Sequence, residues 1–185
     1  MLSRIVRWPL VAALVVVGAA AAADTEPVGV DRFFGTYTGE SLHPADEYGR
    51  RTLHVDIGPN GDDGFTVAWT TAMEKRRGER SAISDQLDFV PTQENPNVFR
   101  ALPLDRRDPP IDPLTSERYA WAALKDAVLS VHVLTIEPNG DYVVQTYDRA
   151  LNDHGLTLSF VRVRSGDVEQ RIWGSLDRQE DRQEQ

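Results

Sequence analysis

Gln145, Tyr147 and Arg149 stand at alternate positions of one apolar-rich stretch, a spacing that puts all three side chains on one face of an extended strand. Turning the chain at Asn152–Gly155 and again at Ser165–Asp167 sets Arg162 opposite Gln145 and Gln170 opposite Arg162. The same face collects Leu129, Val131, Val133, Val143, Leu151, Leu156, Leu158, Phe160, Ile172 and Leu176, so it is the inward one. A guanidinium there is costly unless it meets a carboxylate, another acceptor or water, and two are unusual for a solid core. They suit a cavity with a polar end. Arg149 or Arg162 would pair bidentately with an anionic head group, and Tyr147, Gln145 and Gln170 would complete the hydrogen bonds. Phe160, Leu158, Val131 and Val133 would receive an apolar body. The competing reading puts these side chains at the rims, snorkelling to solvent or pairing with Asp or Glu.

Other chemistry is sparse. His43, His54, His132 and His154 are scattered over a loop, two outer strand faces and a turn, with no pair at a metal-ligand spacing. His54 and Asp56 share a strand face, but an outward one, which argues against a catalytic triad. The chain has no Cys, hence no thiol nucleophile. Lys75 to Arg80 is a basic cluster that reads as a solvated turn. Asp62–Asp63 and Asp105 to Asp108 lack a calcium-loop pattern, and glycine-rich phosphate loops are absent. No acid–base pair stands out. The expectation is a binding protein without metal or cofactor rather than an enzyme.

The elements that must position these residues are strands. From Asp31 to Leu176 apolar residues repeat with period two, and turn chemistry interrupts them about every ten residues, as in barrels and sandwiches. Two hairpins share the same words, Ile57-Gly58-Pro59-Asn60-Gly61-Asp62 and Ile136-Glu137-Pro138-Asn139-Gly140-Asp141. Turn chemistry alone explains the likeness, and an internal duplication is the other reading. Closing the first hairpin on Pro59–Gly61 sets Val55 opposite Phe65 and Leu53 opposite Val67, with Ile57 and Trp69 on the same buried face and Thr52, His54, Asp56 and Thr66 outside. Leu129 to Leu176 threads as a four-strand meander with turns at Pro138–Gly140, Asn152–Gly155 and Ser165–Asp167.

Arg118 to Leu124 precedes that meander. A three-residue turn after it would point Tyr119 and Trp121 inward, a two-residue turn outward. Leu87–Phe89 and Val98–Leu102 pair around Asn95-Pro96-Asn97. Leu104 to Thr115 is too proline-rich for a central strand and reads as a loop. The fold class is therefore all-β, an antiparallel up-and-down barrel of about eight to ten strands in one domain over residues 24–176. A polar tail, 177–185, follows.

Residues 1–23 have the layout of a signal peptide. Arg4 and Arg7 precede an apolar run from Leu10 to Val17, and Ala21 and Ala23 flank Ala22 as a cleavage site. The run is too short for the roughly 20 residues of a spanning helix. Without Cys or paired arginines, the ordinary export route is expected, and a disulfide-free exported chain fits a bacterial periplasm. The full chain carries a net charge of −9, and losing Arg4 and Arg7 leaves 18 basic against 29 acidic side chains. That balance disfavours nucleic acid and anionic membrane surfaces as partners.

The leader, the early Gly35-Thr36-Tyr37 and the late Tyr147-x-Arg149 together resemble the calycin group, the lipocalins and fatty-acid-binding proteins, and most closely an uncharacterised family of exported bacterial barrels. Lipocalins carry Gly-x-Trp where Tyr37 stands here. Fatty-acid-binding proteins place an Arg-x-Tyr pair on their last strand, whereas here the order is reversed and the strand is not last. The resemblance implies a barrel that binds a small apolar or amphipathic molecule, anionic ones included, inside. The rival expectation is a filled-core envelope module that binds a protein partner through the proline-rich loop or a sheet edge.

Overall fold

Short turns between alternating stretches force each strand to find its backbone partners in its neighbours along the chain. The computed structural model describes residues 28–41, 51–74, 79–102 and 118–180. These form ten antiparallel strands closed into an up-and-down barrel. In chain order they are β1 (Gly35–Ser41), β2 (Arg51–Asn60), β3 (Gly64–Glu74), β4 (Arg80–Pro91) and β5 (Val98–Ala101), then β6 (Arg118–Lys125), β7 (Val128–Ile136), β8 (Tyr142–Leu151), β9 (Gly155–Arg164) and β10 (Asp167–Arg178). Each pairs with the next, and β1 closes on β10, with Tyr37 opposite Arg178. The expected all-β barrel is present at the upper end of its strand range.

The inner face is apolar. Leu53, Val55, Ile57, Val67, Leu87, Leu129, Val131, Val133, Leu156, Leu158 and Leu176 are all buried there. A short 3₁₀ helix, Val30–Phe33, plugs the end where β1 begins, with Phe33 fully buried. Tyr37 Oη donates to the Phe33 carbonyl at 2.8 Å and accepts from Arg178 Nη2 at 2.6 Å. Above the plug the rings of Phe65, Phe89 and Phe99 pack at 4.9–5.1 Å between centroids. Gly39 lets the closing strands approach, because a Cβ there would lie 1.9 Å from the Ser175 carbonyl oxygen.

Three turns match the expected loops and two differ. Val133 faces Gln145, Arg149 faces Leu158 and Arg162 faces Gln145, so the β7–β8 and β8–β9 registers are those read from the turns. The β4–β5 pairing around Asn95–Asn97 also forms. In the first hairpin, however, Val55 faces Trp69 and Leu53 faces Thr71, and Asn60 pairs with Gly64. The loop is Gly61–Asp63 rather than Pro59–Gly61. Pro59 can stay in β2 because β1 ends its pairing at Ile57, so the missing proline N–H costs no bond on that side. The slip is even-numbered, and the buried face is unchanged.

The turn into β10 is also shorter than expected, with Asp167 opposite Arg164; a bulge between Val168 and Gln170 then restores Gln170 opposite Arg162. The turn after β6 has two residues, Asp126 and Ala127, at φ 49° and 59°. That choice puts Tyr119 and Trp121 outside, where the Trp121 ring stacks on His132 at 4.9 Å. Asp177 and Arg178, expected in the tail, belong to β10 because Arg178 is held by Tyr37 and by the Arg32 carbonyl at 2.8 Å. The leader, His43, the Lys75–Gly78 part of the basic cluster, the 104–115 loop and residues 181–185 lie outside the described residues.

Candidate functional site

All six side chains singled out by spacing, Gln145, Tyr147, Arg149, Phe160, Arg162 and Gln170, line one cavity of about 140 Å³. It occupies the half of the barrel away from the 3₁₀ plug. β8 supplies Gln145, Tyr147 and Arg149, β9 supplies Leu158, Phe160 and Arg162, and β10 supplies Gln170 and Ile172. The facing wall comes from Arg51, Leu53 and Val55 of β2 and Trp69, Thr71 and Met73 of β3. Val131 and Val133, expected to receive an apolar body, are buried in the core and do not line the cavity.

Arg149 is the centre of the site. Its side chain is 1% exposed, and its Nε and Nη1 have no hydrogen-bond partner among the described residues. The guanidinium lies 5.7 Å from the Trp69 ring centroid and 5.5 Å from that of Tyr147, within range of cation–π attraction. Burial pushes its pKa down to about 10, only partly opposed by Tyr147 and Asp148. At neutral pH the group keeps its charge.

Tyr147 joins the aromatic wall. Its ring centroid is 5.0 Å from Trp69 and 4.8 Å from Phe160. Its hydroxyl donates to Gln145 Oε1 at 2.9 Å, and burial pushes its pKa up to about 12 despite the Arg149 charge. The phenol is a neutral donor here, not a base.

The two arginines expected inside have separate fates. Arg162 sits nearer the rim, about a third exposed, with Nε 2.9 Å from Glu169 Oε2 at an angle too poor for a hydrogen bond. Its charge already has a counter-ion, as the rim reading requires. Arg149 has none. Glu169 also accepts from Arg164 Nε at 2.7 Å, and Arg164 pairs with Glu137 at 2.5 Å.

The sequence reading missed Arg51, Asp85 and Arg118 at this end. Arg51 is 2% exposed and belongs to the same alternation as Leu53, Val55 and Ile57, which was the available signal. Asp85 stands opposite Trp69 in the alternation with Leu87 and Phe89. Arg118 grips both of its carboxylate oxygens, Nη1 at 3.1 Å from Oδ1 and Nη2 on Oδ2. Because β5 stops at Ala101, this ion pair rather than a backbone ladder ties β4 to β6 at the cavity level among the described residues.

Outside the barrel, His54 bridges Thr38 Oγ1 at 3.1 Å and Asp56 Oδ2 at 3.0 Å, and Asp56 also accepts from Thr36 at 2.7 Å. His132 makes the same Thr contact, Nδ1 to Thr146 Oγ1 at 3.1 Å. Both are cross-strand pairs on an open sheet face. Among the described residues no group of three His, Cys, Asp or Glu is placed to hold a metal ion.

In comparisons with known proteins, no family model and no curated protein matches the chain. The closed ten-strand barrel is consistent with a calycin-like fold. Fold alone does not carry a function, so the reading rests on the site.

Proposed function

We propose that this protein is an exported carrier or sensor that binds a small anionic or amphipathic molecule inside its barrel. One observation supports it above all: a fully buried guanidinium with two unpartnered N–H-bearing atoms beside a cavity. An unpaired buried cation costs several kcal/mol in real proteins, so a structure that retains one has a use for its charge. The incoming anion supplies the missing acceptors, Tyr147 and Gln145 fix its orientation, and Trp69 and Phe160 cover its apolar part. Neither Arg149 nor Tyr147 titrates near neutrality, which suits holding a ligand better than moving protons.

The working place is the periplasm and the working form is water-soluble. The leader supports the first. For the second, the inner face is apolar while the outer faces of β2 and β3 carry Thr52, His54, Asp56, Thr66 and Thr70, the reverse of a barrel whose outside meets lipid. The test is native mass spectrometry of the protein as purified, repeated after denaturing and delipidation. A reproducible extra mass that disappears on stripping, and is absent from Arg149→Met, is expected. A bare mass together with no uptake of any anion would instead favour the filled-core interaction module.

A further inference from the structure

Resting on the anion-binding reading, we infer that the cargo is a single-ring organic carboxylate, the size of benzoate, seated charge-first on Arg149. Size is the first argument. The cavity measures about 140 Å³, well below the roughly 300 Å³ at which drug-sized pockets begin and close to the roughly 150 Å³ that accommodates one benzene ring. The acyl chain of palmitate does not fit in it.

Direction is the second argument. Arg149 lies at the inner end of the cavity, and beyond it the interior is filled by Phe33, Tyr37, Phe65 and Phe89, each with no measurable exposure. A long tail has nowhere to go past the charge. Running the other way, it would leave through the end where, among the described residues, Arg51, Arg162 and Gln170 stand beside Met73 and Ile172, so only part of its apolar surface would be covered.

Wall chemistry is the third. Trp69, Tyr147 and Phe160 form a continuous aromatic surface, with centroid spacings of 5.0 and 4.8 Å, that matches the face and edge of a flat ring. Inorganic phosphate matches it poorly. Its charge needs donors on several sides, and although Arg51, Gln145, Arg162 and Gln170 also line the cavity, the Arg149 guanidinium itself lies against the Trp69 and Tyr147 rings, with Leu158 as its cross-strand neighbour. A monocarboxylate with an apolar ring satisfies the Arg149 guanidinium, unpartnered at Nε and Nη1 among the described residues, and the aromatic walls together.

The experiment is calorimetric and Trp-fluorescence titration of the purified full chain, refolded from urea to remove cargo. Benzoate, cyclohexanecarboxylate, palmitate and inorganic phosphate are compared at pH 7. Benzoate is expected to bind saturably, at least tenfold tighter than palmitate or phosphate, with cyclohexanecarboxylate between. Arg149→Met should weaken benzoate by tenfold or more, and Arg162→Gln by less than threefold. Tighter binding of palmitate or phosphate, lost in Arg149→Met, overturns the single-ring inference and leaves the anion-binding barrel standing. Failure of all four to bind, or unchanged benzoate affinity in a folded Arg149→Met, overturns both. The ligand ranking is read on the unaltered protein, so it stands even if a variant fails to fold.

Discussion

Arg149 carries its charge on a side chain that is 1% exposed and whose Nε and Nη1 meet no acceptor among the described residues. The fall of its pKa from the ordinary guanidinium range to about 10 corresponds to roughly 3 kcal/mol of destabilisation at pH 7. The sign follows from linkage: between about 10 and the ordinary guanidinium range the unfolded chain binds more protons than the folded one, so the penalty is complete below that window and relieved within it. Arg149→Met should therefore raise the melting temperature of the ligand-free protein at pH 7 by about 6–12 °C, read by calorimetry. A lower melting temperature would mean that the guanidinium is satisfied. His132 acts through the acid side. Burial lowers its pKa below 6.5, with Asp148 pulling it back, so the unfolded chain takes up protons first as the pH falls. Stability should fall from pH 6.5 downward, and the loss in urea midpoint between pH 7 and 5 should shrink in His132→Gln.

At the scale of elements, turns decide which way side chains point. Asp126 and Ala127 both have positive φ, the condition for the two-residue hairpin turn that matches strand twist. Ala127→Gly should remove the strain of a left-handed alanine and raise unfolding free energy by about 0.5–1 kcal/mol in urea titration. An unchanged or lower value would show that unfolded-state entropy outweighs the strain. Pro59 and Pro138 sit in identical words but in different places. The first lies in β2, the second in a turn closed by Glu137 N–H donating to Asp141 O at 2.7 Å. The Pro-Asn-Gly-Asp run is the same in both hairpins, but Gly58 stands where the second has Glu137, which pairs with Arg164, and β1 stops its pairing at Ile57 beside the first. The period-two pattern made the faces legible despite this, because an even slip in register leaves every side chain on its side.

The whole molecule depends on a closure that links the ends of the chain. β1 meets β10 through Gly39, where a Cβ would lie 1.9 Å from Ser175 O, and through the hydrogen bond of Arg178 to Tyr37. Gly39→Ala should lower stability by about 3 kcal/mol, seen as a lower urea midpoint with the same slope. A change within error would mean that the seam tolerates separation. Export is tested at this scale too. Expressed in a Gram-negative host, the full chain should yield a protein that starts at Asp24 and is released with the periplasmic fraction without detergent. Retention in a detergent-requiring membrane fraction would overturn the water-soluble form.

Alternation and turn residues by themselves determined the all-β class, the inward face of the C-terminal meander and the convergence of Gln145, Tyr147, Arg149, Phe160, Arg162 and Gln170. Those are consequences of a repeat of two, which is local and needs no knowledge of the rest of the chain. The opposite wall of the cavity, the plug beneath it and the Asp85–Arg118 tie join residues from strands distant in sequence, so only closure of the barrel brings them together. Closure also separated two arginines that look alike in the sequence. Arg162 meets Glu169 near the rim, while Arg149 is carried inward between Trp69 and Tyr147. A strand's pattern states which face a charge is on; its depth and its partners are set by the strands across the interior.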